Sequence, residues 1–280
     1  MSDDHTDPAA LRSVAEQLAA EAADFVRRRR LEVFGADGAG TDSAAVSFKS
    51  TPTDPVTIVD TETERLLRER LAELRPGDGI LGEEEGGPAG AADDALTWVL
   101  DPIDGTVNFL YGIDAYAVSV AVQRGGVSLA GAVAHVSAHA VYSAAQGRGA
   151  HVRRGGGVAE LRCTAQANLP MALVGTGFAY DIDRRRRQGE VVAAMLPRVR
   201  DLRRIGSCAL DLCLVAAGRL DAYYEDGVHV WDWAAAALIA AEAGATVRLP
   251  TSVEGPGFVV ASAPGISASF EDALAACGAP

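Results

Sequence analysis

At 280 residues, 49% of them apolar, the chain is long enough for one large domain or two smaller ones and can fill a sizeable core. Its net charge of −13 disfavours nucleic acid and anionic membrane as passive partners, and suits a protein that gathers carboxylates around cations. No run of roughly 18 apolar residues reads as a membrane span, and the opening MSDDHTDPAA lacks the basic and apolar regions of a signal peptide, so a soluble cytoplasmic protein with a frayed N-terminus is expected.

Residues 9–34 have helical spacing, with Leu11, Val14, Leu18, Ala22, Phe25 and Val26 near one stripe. Arg27 to Arg30 read as the solvated end of that helix, where positive charge suits the dipole. A Gly/Ala/Asp/Ser stretch at 35–45 reads as a loop. Asp60-Thr-Glu-Thr-Glu opens a second helix that Pro76-Gly77 ends. A short strand, Gly79–Leu81, leads into an acidic GEEEGG loop, and residues 97–100 form another strand. From Ala115 to Val152 the apolar period becomes two and short Gly- or Ser-containing turns intervene, which predicts an antiparallel meander. Beyond about residue 161 strands and helices alternate: MALVGTGF, a helix over 184–199, LRRIG, the helix CALDLCLVAAG, DAYYE, the helix WDWAAAALIAAEAG, ATVRL, GFVVASAP and a C-terminal helix. Two subdomains are expected, 9–160 and 161–280, packed as one unit.

Cys163, Cys208, Cys213 and Cys277 form no C-x-x-C pair and read as buried free thiols. Of the 25 basic residues only Lys49 is lysine, which makes its place worth finding.

The chemistry concentrates in WVLDPIDGTVNF at 98–109. Pro102 is expected to end the ladder and turn the chain, so that Asp101 and Asp104 point to one place. Two unpaired carboxylates there raise each other's pKa. A divalent cation removes that cost, and Mg²⁺ takes oxygen ligands. Gly105-Thr106 then begins a helical turn whose free N–H groups suit phosphate. A strand-end turn with Asp104 as an N-cap is the competing reading. Glu83 and Glu84 of the acidic loop alone read as solvated, and Asp232 alone as an N-cap. Four carboxylate-bearing strand or helix ends in one acidic chain are nonetheless what a multi-metal site requires.

With GEE at 82–84, WVLDPIDGTVNF at 98–109 and WDWAAAALIAAEAGA at 231–245 in this order, the chain resembles the inositol monophosphatase family of Mg²⁺-dependent, Li⁺-sensitive phosphatases, most of all its bacterial inositol-1-monophosphatase branch. The resemblance implies an α/β fold, the layered αβαβα sandwich of the inositol monophosphatase and fructose-1,6-bisphosphatase superfamily. It implies two to three Mg²⁺ per site. Glu83, Asp101 and the Ile103 carbonyl match the first metal's ligands, and Asp101, Asp104 and Asp232 the second's. A third, looser metal is implied near Glu83, with Glu84 near the cluster, and Lys49 falls on a family loop lysine. Asp60 and Thr106 match the pair that orients the attacking water, and Gly105 and Thr106 the phosphate cradle. Glu225 matches the acid that contacts substrate hydroxyls, Gly206, Ser207 and Cys208 the segment lining the sugar side, and Arg203 an interface arginine. His229 matches a family position and equally suits a structural histidine.

The chain departs from the pattern at Ala236, where a glycine is common, at Tyr111, where a histidine is common, and at Cys208, where a smaller residue is common. The first bears on helix packing and the other two on the substrate rim. The implied activity is hydrolysis of myo-inositol 1-phosphate by a metal-activated water, with a small phosphorylated substrate as partner and a homodimer as the assembly. Fructose-1,6-bisphosphatase or NADP phosphatase activity is the alternative, then 3′-phosphoadenosine 5′-phosphate or histidinol phosphatase activity. A regulatory partner-binding protein with secondary catalysis is the alternative of another class.

Overall fold

The computed structural model describes residues 6–35, 44–49, 51, 53–87, 95–252 and 255–280. The expected loop at 35–45 falls largely outside them. Helix α1 (Pro8–Phe34) is capped by Asp7, whose side chain accepts from the Ala10 amide at 3.3 Å, and proline occupies its first position. A hairpin that the sequence did not announce, β1 (Val46–Phe48) with β2 (Pro55–Thr57), precedes α2 (Ile58–Leu74). Then come β3 (Gly79–Gly82), β4 (Leu96–Asp104), the short α3 (Thr106–Tyr111) and the meander β5 (Ala117–Arg124), β6 (Val127–His135), β7 (Ala140–Ala145), β8 (Ala150–Arg154) and β9 (Gly157–Glu160). The second half runs β10 (Leu173–Thr176), α4 (Ile182–Met195), β11 (Asp201–Arg203), α5 (Cys208–Ala216), β12 (Ala222–Val228), α6 (Val230–Glu242), β13 (Thr246–Arg248), β14 (Gly257–Ser262) and α7 (Ser267–Ala276).

Strands β3 to β9 form one seven-stranded sheet in chain order, parallel at β3–β4 and antiparallel elsewhere. The other sheet has five strands in the order β11-β10-β12-β14-β13, with β10 parallel to both neighbours. Helices α1 and α2 cover one face of the larger sheet, α5 and α6 lie between the sheets, and α4 and α7 cover the outer face of the smaller one. This is the αβαβα layering. Strand β5 shows how the period of two serves it: Val118, Val120 and Val122 pack toward α1, while Ala117 and Ala121 pack toward α6. The alanines of α6 let it sit close. A Cβ on Gly131 of β6 would stand 2.8 Å from the Ala235 Cα. Ala236 is buried in this layer, so the departure there is accommodated by packing.

Two expectations are corrected. Of Arg27 to Arg30 only Arg28 is the exposed helix-end residue expected; the other three are engaged. Arg27 donates to the Val136 carbonyl at 2.8 Å, Arg29 pairs with Glu62 at 2.7 Å, and Arg30 donates to the Phe109 carbonyl at 3.2 Å. Their long stems reach over the adjoining layer while the heads find partners there. Nor does Pro102 end its strand. Asp101 pairs with Ser119 and Asp104 with Ala117, so β4 continues across a bulge that carries one extra residue.

Candidate active site

The bulge does what a turn was expected to do: it re-aims the side chains of Asp101 and Asp104 so that both face the end of α6. Carboxylate oxygens of Asp101, Asp104 and Asp232 lie within 4.8 Å of one another. Asp232 is the third residue of α6, not its cap. Its Oδ2 accepts from the His229 amide at 2.5 Å, which turns the side chain back over the helix N-terminus. Asp104 likewise caps nothing on its own helix; Gly105 is the N-cap of α3. The Asp104 carboxylate instead accepts from Ser207 Oγ at 2.6 Å and the Ala209 amide at 2.7 Å, at the N-terminus of α5. Asp101 makes no such bonds. Both its carboxylate oxygens are buried without a hydrogen-bond partner among the described residues.

Burial, and then the charges of Glu83, Asp104 and Asp232, hold Asp101 well above the usual carboxylate range. Asp232 is raised well above it by burial and by Asp104 and Glu83. Asp104 reaches about 6, because burial outweighs the Ser207 and Ala209 bonds that lower it. Hard oxygen donors, one of them buried with no partner, fit a divalent cation, and a bound cation removes the repulsion. Glu83 and the only lysine join the cluster from the side: Lys49 Nζ lies 2.8 Å from Glu83 and 2.6 Å from Glu84. Burial lowers the Lys49 pKa, but the charges and hydrogen bonds of the two glutamates outweigh it and raise it overall. Burial pushes Glu84 up to about 7.

Asp60 sits in the first turn of α2. The Thr57 amide donates to its Oδ2 at 2.9 Å, and the Thr57 hydroxyl donates to the same oxygen. Its Oδ1 faces the Thr106 hydroxyl at 3.1 Å, which is also 3.1 Å from the Ile103 carbonyl. Burial raises Asp60 to about 6. Gly105 has φ 99°, and a Cβ there would stand 2.9 Å from the Ala115 carbonyl oxygen, so glycine is what lets this corner close.

Most of these groups line one cleft of about 500 Å³, with Asp60 and Glu84 behind its wall. Lys49, Glu83, Asp101, Ile103, Asp104, Gly105 and Thr106 form its acidic end, and Gly206, Cys208, Glu225, His229 and Asp232 continue it. Glu225 is no solvated strand end. Tyr223 donates to its Oε2 at 2.5 Å, and burial pushes it up to about 7. His229 caps α6 and stacks on Trp231, with ring centroids 4.8 Å apart. Ser207 is buried and engaged with Asp104, so it meets the cleft only through that residue. Arg203 pairs with Asp201 at 2.5 Å on the exposed edge strand β11, away from the cleft. Tyr111 is exposed and also outside the cleft, so of the two rim departures only Cys208 touches it. Burial holds the Cys208 thiol well above its ordinary pKa, which makes it inert.

Sequence reasoning missed Tyr180, Arg184, Arg187 and Arg204 on the cleft wall. The run RRRRQ at 184–188 was a visible signal, but nothing in it said which arginines turn inward. It also missed Glu64, buried beneath the acidic loop.

The model of the inositol monophosphatase family matches residues 7–278. The inositol-1-monophosphatase of Mycobacterium leprae is 65% identical over 274 residues, spanning 96% of this chain and 94% of that protein. A solved structure of Mycobacterium tuberculosis SuhB superposes with a TM-score of 0.83 at 58% identity, covering 97% of this chain and 98% of that one. The Nus factor SuhB of Pasteurella multocida is 36% identical over 207 residues, 74% of this chain and 75% of that protein. The acidic cleft described above is therefore that of a member of the inositol monophosphatase family, to which this chain belongs.

Proposed function

We propose that the chain is a Mg²⁺-dependent phosphomonoesterase that hydrolyses myo-inositol 1-phosphate and related small phosphomonoesters to the alcohol and inorganic phosphate. The observation that carries this reading is Asp101: a carboxylate buried with both oxygens unpartnered, facing Asp104 and Asp232. Glu83, Asp101, Asp104, Asp232 and the Ile103 carbonyl would hold two to three Mg²⁺. When bound, the ions supply Lewis-acid polarisation of the phosphate and a lowered pKa for coordinated water.

The remaining work falls to this chain's own residues. The Thr106 hydroxyl donates toward Asp60 Oδ1, which leaves its lone pairs open to a water in the cleft. Asp60 Oδ2 is already filled by Thr57, so Oδ1 is the atom left to take a proton passed through Thr106. With its pKa at about 6, Asp60 is mostly ionised at neutral pH and able to accept one. Gly105 opens the backbone at the cleft for the phosphate oxygens, and Glu225 accepts a hydrogen bond from a ring hydroxyl. A side-chain nucleophile is not needed, since Cys208 is held as a thiol.

Phosphate release measured over inositol 1-phosphate, fructose 1,6-bisphosphate, histidinol phosphate and nucleotides, with and without Mg²⁺, tests the reading. Inositol 1-phosphate is expected to turn over fastest, and nothing without Mg²⁺. Faster release from a nucleotide or from the bisphosphate would replace the substrate assigned. Inhibition by Li⁺, uncompetitive with substrate, belongs to the same proposal, as do a cytoplasmic location and a homodimer. A 29 kDa species in light scattering at micromolar concentration would contradict the dimer. A regulatory role is the second reading, favoured by the name of the Pasteurella relative. A catalytically dead variant that still supports growth where the deletion does not would establish it.

A further inference from the structure

Helix α2 carries two buried carboxylates four residues apart, Asp60 and Glu64, and so on one face. Asp60 meets Thr106. Glu64 meets the backbone of the acidic loop. Its Oε2 accepts from the Glu84 amide at 2.7 Å, and its Oε1 from the Glu85 amide at 3.0 Å and from Arg68 Nε at 2.9 Å. Arg68 in turn donates to the Gly86 carbonyl at 2.5 Å. The loop is closed on itself by paired bonds between Gly82 and Gly86, 3.0 and 3.1 Å, and its Glu83 amide is bonded to the Leu100 carbonyl of β4 at 3.1 Å. Gly82 makes room for the arrangement, because a Cβ there would overlap the Glu64 carboxylate.

We propose that Glu64 is a positioning residue for the cation site: with Arg68 it fixes the backbone of residues 82–86 so that the Glu83 carboxylate stands beside Asp101 before a cation arrives, and it thereby sets cation affinity. This rests on the reading of Glu83 and Asp101 as cation ligands. Without such a clamp the side chains alone would decide where Glu83 points, and Lys49 pulls on Glu83 and Glu84 together. A ligand already in place loses less freedom on binding. The clamp also ties the cation-holding loop and the proton-accepting Asp60 to one helix, so the two halves of the site share a frame.

Three N–H groups converge on the Glu64 carboxyl group, one on Oε2 and two on Oε1, so both oxygens serve as acceptors. Glu64→Gln keeps the volume but turns an NH₂ toward a donor. Mg²⁺ binding is measured by calorimetry, amide exchange at Glu84 and Glu85 by hydrogen–deuterium exchange, and turnover as a function of Mg²⁺. Glu64→Gln is expected to weaken Mg²⁺ binding by roughly 10–100-fold, the range for residues that orient metal ligands. Exchange at the two amides should rise with it, while kcat at saturating Mg²⁺ stays within about threefold, because the reacting groups are untouched. Arg68→Met leaves Glu64 in place but removes its counter-charge and the Gly86 bond, and should move all three readouts the same way by less. It carries the test should Glu64→Gln fail to fold. Unchanged Mg²⁺ affinity in a folded variant whose loop amides exchange faster would overturn the proposal. So would a fall in kcat at saturating Mg²⁺ with affinity intact. Asp101→Asn separates the two levels: binding lost there but kept in Glu64→Gln overturns the clamp alone, whereas a wild-type protein that binds no Mg²⁺ overturns the cation site as well.

Discussion

Outside the cleft, acids that leave the solvent find donors. Asp78 accepts from Arg75 at 2.8 Å and from the Trp98 indole at 2.9 Å, and Asp221 from the Leu173 amide at 2.8 Å and the Thr164 hydroxyl at 2.7 Å. Glu242 accepts from the Gly147 and Gly149 amides, each at 2.7 Å. Inside the cleft, Asp101 accepts from no described residue and faces two more carboxylates. Burying a charge without a partner is costly enough that a chain seldom retains it for stability. The first group holds the fold together; the second has the arrangement that the proposed cation site needs. One residue breaks the pattern: Asp211 of α5 is also buried and unpartnered, against Gly175. Burial holds its carboxyl well above the usual range.

The comparison is broken most directly at Asp101. Asp101→Asn keeps shape and burial but removes a proposed cation ligand. A bound cation is worth several kcal/mol of transition-state charge stabilisation, so turnover should fall by about three powers of ten or more. Because one of the clustered charges is gone, the metal-free variant should also melt higher than metal-free wild type. Near-wild-type turnover would return Asp101 to the structural group.

Removal of the cation itself gives the next effect, through pH. Asp60 and Asp104 titrate at about 6 in the fold and Glu225 at about 7, against roughly 4 for an unfolded carboxyl. The folded state therefore binds more protons than the unfolded state between these values, and stability falls as pH rises. Their stabilising contribution is complete below about pH 4 and is lost as pH climbs through 6 to 7. Metal-free protein should melt several degrees lower at pH 8 than at pH 5.5, on the order of 2–4 °C for each kcal/mol lost. Excess Mg²⁺ should remove the part of that slope that belongs to Asp104, a proposed ligand, and leave the part that belongs to Asp60 and Glu225. A thermal midpoint independent of pH in the presence of chelator would show that burial does not raise these carboxyls.

What was legible in advance follows the same division. The metal-binding candidates stood in contiguous motifs, and strand and helix periods placed them at element ends, so Asp101, Asp104 and Asp232 could be named together. The geometry that joins them was not legible. A bulge and a turn both follow from an Asp-Pro-Ile-Asp stretch, and only pairing with Ser119 and Ala117 decides between them. Asp232 at the third helical position reads as a cap until the His229 bond is seen. The distant partners of Arg27, Arg29 and Arg30, the loop clamp of Glu64 and the cleft-facing arginines all depend on contacts far apart in sequence, which no local pattern encodes. The hairpin at 46–57 was hidden because its strands are three residues each.

Glu225 sharpens the comparison because it belongs to neither group cleanly. One oxygen is bonded to Tyr223, and the residue still lines the cleft. Its carboxylate can accept from a substrate hydroxyl, a charge-assisted bond worth roughly 1.5–3 kcal/mol. Glu225→Gln should lower kcat/KM for inositol 1-phosphate by about one to two powers of ten. Turnover of 4-nitrophenyl phosphate, which has no hydroxyl there, should hardly change. Equal losses on both substrates would place Glu225 with the structural acids or the cation ligands.

The smallest effect is expected at Glu242, and it tests the other side of the comparison. The residue ends α6, where a negative charge is disfavoured by the helix dipole. It is retained there because its two oxygens each take one amide of the β7–β8 turn, tying that hairpin to the central helix layer. Glu242→Gln keeps one acceptor and turns an NH₂ group toward the other amide. The loss should be about 1–2 kcal/mol, the range for a hydrogen bond to a charged group less what the glutamine still makes. For a chain of this size that is a fall in Tm of a few degrees, about 2–4 °C per kcal/mol. The opposing dipole term is relieved by the same change, which holds the fall toward the low end. Because no atom of Glu242 reaches the cleft, kcat/KM for inositol 1-phosphate and the Mg²⁺ dependence should match wild type within about twofold. A Tm drop with unchanged kinetics is the signature of an acid that holds structure, the mirror image of Asp101→Asn. A loss of activity at unchanged Tm would mean that the hairpin and the cleft are coupled through α6, and the two groups of acids would no longer be separable.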